Sequence, residues 1–302
     1  NRIVQDAQSA GPDSDAGRMV RWCEGHLDVF EGHSDLVALN HDNPAVREHV
    51  TRIMNYWCGR GVDGWRLDAA YSVNPEFWAA VLPSVREKYP DVWIFGEVIH
   101  GDYASIVRAS GMDSVTQYEL WKGIWSSIES RNFFELDHAL GRHNEFSDAF
   151  TPMTFVGNHD VTRIASRVGQ DGAVLATAIL ATIGGIPLIY YGDELASRGV
   201  KEERFGGDDD IRPVFPASPA DLSNLGADTL RAHQNLLGLR RRHPWLVDAR
   251  TESLDLTNER YVYRTGVPGV EPLIVELDVR DGCSVLIREA GQVIWSSGAS
   301  PL

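Results

Sequence analysis

Three acidic side chains, Asp68, Glu97 and Asp160, follow short apolar segments of the sequence. Arg66 stands two positions before Asp68, so on an extended strand the two side chains point the same way and the guanidinium can hold the carboxylate ionised and oriented. Such a carboxylate suits a nucleophile. Glu97 comes directly after Gly96, which lets other groups approach the backbone closely. Two carboxylates about 5 Å apart are the groups that cleave a glycosidic bond with retention of configuration.

Taken singly, each of these groups has an ordinary structural explanation. An Arg-x-Asp pair on a strand is more often a salt bridge, and a glutamate at a strand end is often solvated. Asn158-His159-Asp160 contains residues that favour turns. The order and the strand-end placement of all three carboxylates nevertheless favour one common site. In such a site His159 can hydrogen-bond a sugar hydroxyl beside Asp160.

The elements that must position these groups alternate between strand and helix from about residue 44 onward, which predicts an α/β fold with a parallel sheet. Because parallel strands of a barrel bring their carboxyl ends to one face, Asp68 and Glu97 are expected to be neighbours. The predicted strands are 62–68, 92–97, 114–117, 153–157 and 186–191, and the predicted helices are 44–58, 75–88, 119–130, 133–150 and 171–183.

The two ends of the chain have a different pattern. From about residue 250 apolar and polar residues alternate without helical stretches, over 260–264, 273–279 and 285–287, which predicts a small antiparallel β domain. Residues 1–43 lack strong periodicity and contain Gly-Pro, Ser and Asp clusters. The predicted domains are therefore a loop-rich segment over 1–43, an α/β region over 44–245 and a small antiparallel β domain over 246–302.

Composition limits the partners. The 302 residues are 43% hydrophobic, enough for a sizeable core, and 43 acidic against 28 basic residues give a formal net charge of -15. This charge argues against nucleic acid, whose phosphates need a basic patch. There is no apolar run long enough to span a membrane, and no protein partner is indicated. The three cysteines have no CxxC spacing, which favours a reduced state and the cytoplasm over secretion.

Three segments together resemble signature segments of the α-amylase superfamily of retaining glycoside hydrolases. They are GWRLDAA over 64–70, GEV over 96–98 and FVGNHD over 155–160, and IYYGDE over 189–194 resembles the end of the eighth strand of that family. The resemblance covers residues 44 to 302. It implies an α-amylase-type (β/α)8 TIM barrel, with these segments on strands four, five, seven and eight. The catalytic barrel region would then cover residues 44–245, and a C-terminal β-sandwich-like domain residues 246–302.

The resemblance also assigns roles to individual residues. It implies that Asp68 is the nucleophile, Glu97 the acid/base and Asp160 the group that stabilises the oxocarbenium-like transition state. Arg66 is expected to orient Asp68, and His159 to bind the sugar at the point of cleavage. Tyr71, just beyond the nucleophile, is the aromatic residue expected to stack on a sugar face.

The sequence departs from the family in its first part. The family's Asp-x-x-x-Asn-His segment on strand three is absent, and the 61 residues before strand four have no room for three βα units. We therefore expect an N-terminally incomplete barrel with five of eight strands, in which no residue replaces the missing substrate contacts. No cofactor is predicted with certainty. In the family that segment supplies an Asn that often helps to bind calcium, so the resemblance leaves calcium open for the full-length enzyme.

A second departure follows the nucleophile, where many starch-cleaving members have a Lys-His pair and this chain has Tyr71 and Ser72. This difference leaves exo-acting hydrolysis and transglycosylation open beside ordinary amylase action. The substrate class implied is an α-glucan or a maltooligosaccharide. Two alternatives are not active enzymes, namely a non-catalytic α-glucan-binding relative and an inactive fragment. The presence of all three carboxylates disfavours the non-catalytic relative.

Overall fold

The computed structural model describes residues 2–222 and 226–297, and backbone proximity divides the chain into two units, Asn1–Val115 and Thr116–Leu302. The predicted domain boundaries after residues 43 and 245 stay predictions. The elements of the first unit are α1 (Arg2–Ala10), β1 (Trp22–Cys23), β2 (His26–Leu27), β3 (Val29–Phe30), β4 (His33–Val37), α2 (Pro44–Cys58), β5 (Gly64–Leu67), α3 (Pro75–Arg86), β6 (Trp93–Gly96), α4 (Tyr103–Ser110) and β7 (Ser114–Val115).

The first 43 residues contain more regular structure than their composition predicts. Helix α1 has nine residues, and β1–β2 and β3–β4 are two antiparallel hairpins. The prediction of a loop-rich segment therefore missed these elements. Strands of two to five residues are too short to show the alternation of apolar and polar residues that is typical of strands. Helix α1 buries only Ala7, so the sequence shows no helical repeat of apolar residues there either.

Helix α2 is confirmed with the predicted bounds. The Asn43 side chain accepts a hydrogen bond from the Ala45 N–H at 2.9 Å, and Pro44 occupies the first turn, where its missing N–H costs nothing. Helix α3 begins in the same way, with Asn74 accepting from the Glu76 N–H, but it ends at Arg86 rather than near residue 88. Helix α4, capped by Asp102, was not predicted.

Strands β5, β6 and β7 form a parallel sheet in that order. Leu67 lies opposite Gly96, and Gly96 lies opposite Val115. Each strand is shorter than predicted, and the first two end one residue earlier. Asp68 and Glu97 therefore come directly after the carboxyl ends of neighbouring strands, which is the placement that the sequence predicted.

The second unit contains helices, two parallel strands and a C-terminal sheet. Its elements are α5 (Tyr118–Ser130), α6 (Phe133–Ser147), β8 (Met153–Phe155), α7 (Ile164–Thr182), β9 (Ile186–Leu188), α8 (Ala227–Arg242), β10 (Arg250–Leu256), β11 (Arg260–Gly266), β12 (Leu273–Asp278), β13 (Ser284–Glu289) and β14 (Gln292–Ser296). Strands β8 and β9 pair in parallel, and Thr116 forms a parallel bridge with Met153.

Several predicted bounds in this unit were wrong. Helix α7 begins at Ile164 rather than 171, because a helical segment continues across a kink at Gly169, whose φ is 74°. Helix α6 ends before residue 150, and β9 ends before residue 191. Helix α8 was not predicted. It buries few apolar side chains and its last turn has three arginines, so its apolar stripe is narrow for a helix that packs on the core.

The C-terminal sheet is antiparallel, as predicted, but it has five strands in the order β10-β11-β12-β13-β14. The two strands that the sequence missed, β10 and β14, form the edges, where exposed side chains weaken the alternating pattern. The inner strands bury every second residue, and these side chains share one apolar core with α5, α6, α7 and α8. In this unit the sheet and helices thus stabilise each other.

Buried polar contacts connect helix α7 to the sheet and to helix α8. The Tyr263 hydroxyl lies 2.6 Å from Thr182 Oγ1. The guanidinium of Arg240 donates to the carbonyl groups of Ala181, Ile183 and Gly185, at the end of α7 and just beyond it, where the helix leaves carbonyls without internal partners. Burial lowers the pKa of Arg240 to about 10, so the side chain stays charged at neutral pH.

All three cysteines, Cys23, Cys58 and Cys283, are free, and Cys58 accepts a hydrogen bond from the Trp65 indole N–H at 3.3 Å. None of the helices in residues 2–222 and 226–297 has the length and apolar character needed to cross a membrane.

Replacing Gly96 by alanine should lower the free energy of unfolding by about 1 to 3 kcal/mol, the usual cost of overpacking. An added Cβ would lie 2.6 Å from Met112 Sδ and 2.9 Å from Ala70 Cβ. The exposed helical Gly141 is the control, since an added Cβ there meets no atom within 4 Å and alanine favours a helix. Urea denaturation measures both variants, and an unchanged value for Gly96→Ala would contradict this packing.

The buried His143 on α6 predicts a loss of stability in acid. Burial lowers its pKa to about 4, whereas an unfolded histidine titrates near 6.5. Between these values the unfolded chain binds a proton that the folded chain refuses, so stability falls by roughly 3 kcal/mol as the pH drops from 6.5 to 4. His143→Gln, which keeps an N–H for the Gly184 carbonyl 3.2 Å away, should lack this contribution.

The measurement is the difference in unfolding free energy between variant and wild type at pH 7 and pH 4.5. A difference is needed because burial raises the pKa of Asp193 to about 6, which stabilises the fold as the pH falls through the same range. Exposed His138 on the same helix provides the matched control, since His138→Gln should keep the wild-type pH dependence. Parallel pH profiles of His143→Gln and wild type would contradict the prediction.

Candidate active site

The first unit places an exposed and a buried carboxylate at adjacent strand ends. The Asp68 side chain, after β5, is 77% exposed, whereas the Glu97 side chain, after β6, is 8% exposed. The two strands pair with Leu67 opposite Gly96, so the residues that follow leave the sheet side by side. The exposed carboxylate can reach a ligand directly, and the buried one is shielded from bulk water.

One guanidinium contacts both carboxylates. Arg66 Nη1 donates to Asp68 Oδ1 at 2.6 Å, and Arg66 Nη2 lies 2.9 Å from Glu97 Oε1. The other oxygen of Glu97 accepts a hydrogen bond from the Ala69 N–H at 3.0 Å. The Arg66–Asp68 ion pair is the one that the sequence predicted, but the contact with Glu97 was not predicted. The planar donor fork of arginine makes both contacts at once, which a lysine cannot do.

The backbone after Asp68 turns sharply to make these contacts. Ala69 has a φ of 40° and a ψ of 43°, in the left-handed region that is uncommon for a residue with a side chain. The turn directs the Ala69 N–H to Glu97, so the hydrogen bond to the carboxylate compensates part of the strain. Gly96 leaves room for Ala70 at this point, since an added Cβ would overlap its methyl group.

Tyr71 is anchored by a carboxylate from the first 43 residues. Its hydroxyl donates to Glu31 Oε2 at 2.9 Å, and the Ser72 hydroxyl donates to the other oxygen of Glu31. These two hydrogen bonds lower the pKa of Glu31, and burial, followed by the contact with Glu31, raises the pKa of Tyr71. The ring of Tyr71 lies 5.0 Å from that of His100. Glu31 was missed because 40 residues separate it from Tyr71.

The second unit contains the third predicted carboxylate. Asp160 Oδ2 lies 3.1 Å from His159 Nε2, and the Asp160 N–H donates to Asn158 Oδ1 at 2.8 Å. The latter contact is a local side-chain turn, which agrees with the turn-forming character of these residues in the sequence. The two predicted side chains are thus in contact, and both are partly exposed, with 42% of the histidine and 33% of the aspartate accessible.

Arg212 is a further residue at this point that the sequence did not indicate. Its Nη2 lies 2.7 Å from Asp160 Oδ1 and 2.9 Å from Asp208 Oδ2, and its Nε donates to the His159 carbonyl at 2.7 Å. Asp208 is the first of three consecutive aspartates, Asp208 to Asp210. Arg212 thus forms ion pairs with both carboxylates and orients Asp160.

A buried ion pair supports the segment that contains Asp160. Arg163 is fully buried and donates to Asp193 Oδ1 at 3.1 Å and to the Tyr191 carbonyl at 2.5 Å, while its guanidinium lies 4.1 Å from the centre of the Tyr190 ring. Gly157 has to be glycine here, because an added Cβ would lie 2.4 Å from Asp193 Oδ2. These contacts fix the chain on both sides of Asp160.

Within the first unit the structure therefore brings together Arg66, Asp68 and Glu97, and within the second unit His159 and Asp160. A cavity of about 610 Å³ in the first unit is lined mainly by apolar side chains, and none of these residues lines it. Among the described residues no three His, Cys, Asp or Glu side chains form a group that could hold a metal.

Comparison with known proteins connects these residues to a family. The sequence profile of the alpha amylase catalytic domain matches residues 24–250. Alpha-amylase 3 of Dictyoglomus thermophilum is 34% identical over 188 residues, which are 57% of this chain and 37% of that protein. Maltogenic alpha-amylase of Bacillus acidopullulyticus is 31% identical over 234 residues, 74% of this chain and 38% of that protein. The chain thus spans well under half the length of these relatives.

Solved structures agree on the fold. Cyclic alpha-maltosyl-(1→6)-maltose hydrolase of Arthrobacter globiformis superposes with a TM-score of 0.79 at 21% identity, over 97% of this chain and 70% of that chain. Alpha-amylase of H. orenii gives a TM-score of 0.75 at 23% identity, over 91% and 67%. These likenesses confirm the predicted (β/α)8 barrel class with a C-terminal β domain, while its N-terminal incompleteness stays a prediction. Since the profile matches most of its length, the chain belongs to the α-amylase family.

Proposed function

We propose that this chain carries the catalytic residues of a retaining enzyme that acts on α-linked glucose chains. The observation that carries the proposal is the contact of one guanidinium, that of Arg66, with both Asp68 and Glu97 at adjacent strand ends. A structural salt bridge needs only one carboxylate, whereas double displacement needs two. One must be exposed so that it can attack the anomeric carbon of the sugar, and the other, shielded from bulk water, transfers a proton.

In the first step Asp68 Oδ attacks the anomeric carbon while the glycosidic bond breaks. Protonated Glu97 gives its proton to the departing oxygen, so the leaving sugar departs as a neutral alcohol. In the second step the Glu97 carboxylate takes a proton from water, the water oxygen bonds to the anomeric carbon, and the bond to Asp68 breaks. Two inversions at the same carbon give net retention.

The other predicted site residues bind the sugar or orient the reacting carboxylates. Arg66 holds Asp68 in position for attack, and Asp160 stabilises the positive charge that develops on the sugar ring in the transition state. His159 hydrogen-bonds a hydroxyl of the same sugar. The Tyr71 ring, anchored by Glu31, stacks on a sugar face on the leaving-group side.

The names of the relatives support an α-glucan as substrate. They include amylases, a 4-alpha-glucanotransferase of Thermotoga neapolitana at 30% identity and a cyclomaltodextrinase of a Bacillus species at 26% identity. A second candidate is therefore transfer of the glycosyl group to another sugar instead of water. The observation that favours it is the occupation of the positions after the nucleophile by Tyr71 and Ser72, both bonded to Glu31, in place of a Lys-His pair.

Asp68→Asn and Glu97→Gln should each lower kcat of the natural protein on maltotetraose by roughly 10² to 10⁴-fold. On an aryl α-maltoside with an activated leaving group, glycosylation by Glu97→Gln should fall much less, because that leaving group needs no proton, whereas Asp68→Asn should stay inactive. The measurement is turnover combined with the anomeric configuration of the first product by NMR. Glu48→Gln, on the exposed face of α2, is the control.

Two results would contradict this assignment. The first is a folded wild-type protein that turns over neither substrate, which favours a non-catalytic glucan-binding relative. The second is an inverted first product, which requires a wider separation of the two carboxylates than a direct nucleophile allows.

Arg66→Lys should lower kcat by about 10 to 100-fold with a smaller change in KM, because an ammonium cannot match both the 2.6 Å and the 2.9 Å contacts of the guanidinium. Arg52→Lys, in an exposed pair on α2, should leave both constants unchanged. If kcat of Arg66→Lys equals that of wild type, the bridge does not orient the carboxylates, and the salt bridge has only a structural role.

A further inference from the structure

A groove of about 310 Å³ lies between helix α8 and the edge strand β14 of the C-terminal sheet. Its volume is at the lower end of the range for small-molecule sites in proteins. None of the residues that line it has a role in the proposed reaction. Both elements belong to the second unit and share its apolar core, so the walls are fixed by packing.

An aromatic side chain forms one wall. Trp295 lies opposite the fully buried Ile287 in the sheet, so it points to the side that faces the helices. The register shifts next to this pair, because Arg288 lies opposite Val293 and leaves Ile294 as an extra residue in β14. Such a bulge changes the direction of neighbouring side chains. Ile294 and Trp295 both line the groove and are half-buried, which leaves apolar surface facing the cavity.

Polar side chains form the opposite wall. Gln234, Asn235 and Arg242 all line the groove from α8 and are exposed. In residues 2–222 and 226–297 no hydrogen bond or ion pair joins the side chain of any of the three to another residue. Their amide and guanidinium groups therefore offer donors, and the two amide oxygens offer acceptors, to a molecule in the groove.

A glycine keeps the groove open. Gly238 stands one turn after Gln234 and one turn before Arg242, in the middle of α8, where glycine lowers helix stability relative to alanine. Packing does not require glycine there, because an added Cβ would meet only Arg242 Nη1, at an ordinary 3.5 Å. A larger side chain at this position would project into the space between the polar wall and Trp295.

We propose that this groove binds a glucosyl unit of an α-glucan, as a second sugar site remote in sequence from the catalytic carboxylates. Sugar rings combine hydroxyls, which match amide and guanidinium groups, with an apolar C–H face, which matches an indole ring. A single cation in the lining and a formal net charge of -15 disfavour an anionic polymer. The choice of glucan as the sugar rests on the proposed function.

The test uses the natural protein with three substitutions made separately. Gly238→Leu fills the groove and should keep or raise the thermal midpoint, since leucine favours a helix. Trp295→Ala removes the aromatic wall. Gly141→Leu, at an exposed glycine of α6 with no atom within 4 Å of an added Cβ, is the matched control. Retardation in gels that contain amylopectin gives the affinity of each variant, and quenching of tryptophan fluorescence compares maltoheptaose with inorganic phosphate.

We expect Gly238→Leu and Trp295→Ala to bind amylopectin at least fivefold more weakly than wild type, which is the size of effect seen when a central contact residue is lost. Gly141→Leu should bind amylopectin with the affinity of wild type. If wild type is retarded and Gly238→Leu is retarded equally, the groove proposal is overturned while the proposed function stands. Quenching by phosphate but not by maltoheptaose would overturn it in favour of an anion site. A wild type that is neither retarded nor active on maltotetraose would overturn the proposed function as well.

Discussion

The contact of Arg66 with two carboxylates depends on the register of two parallel strands. Leu67 lies opposite Gly96, so the residues after them, Asp68 and Glu97, emerge together and fall within reach of one guanidinium. A shift of one residue would reverse the sides on which the side chains point and would separate the three charges. The left-handed turn at Ala69 and the absence of a side chain at Gly96 are local adjustments to this arrangement.

Buried arginine side chains position loops of the second unit. Arg163 and Arg240 are largely removed from water, and a buried charge is tolerated only when hydrogen bonds replace its hydration. Arg240 bonds to backbone carbonyls at the end of a helix, and Arg163 bonds to Asp193 and to the carbonyls of Tyr191 and Ile211. The two arginines thereby fix backbone outside the regular elements, and Arg163 does so three residues after Asp160.

The C-terminal sheet contributes both to the apolar core of the second unit and to a groove on its surface. Its inner face shares one apolar core with four helices of the same unit, and its last strand, with Trp295, forms one wall of a polar groove. The stability of the sheet and the shape of this groove therefore depend on the same packing. Sugar binding in this groove would use surface that the fold already provides.

By itself the sequence determined the five parallel strands, the helix over 44–58 and the placement of Asp68 and Glu97 at strand ends, whereas Asp160 lies in a turn five residues after β8. These features depend on local periodicity, capping residues and signature segments, which are visible within a few residues. Only the tertiary structure decided the contacts of Arg66 with Glu97, of Glu31 with Tyr71, and of Arg212 with Asp160. The last two pairs are separated by 40 and 52 residues, and no local pattern specifies which distant side chain a loop brings into contact.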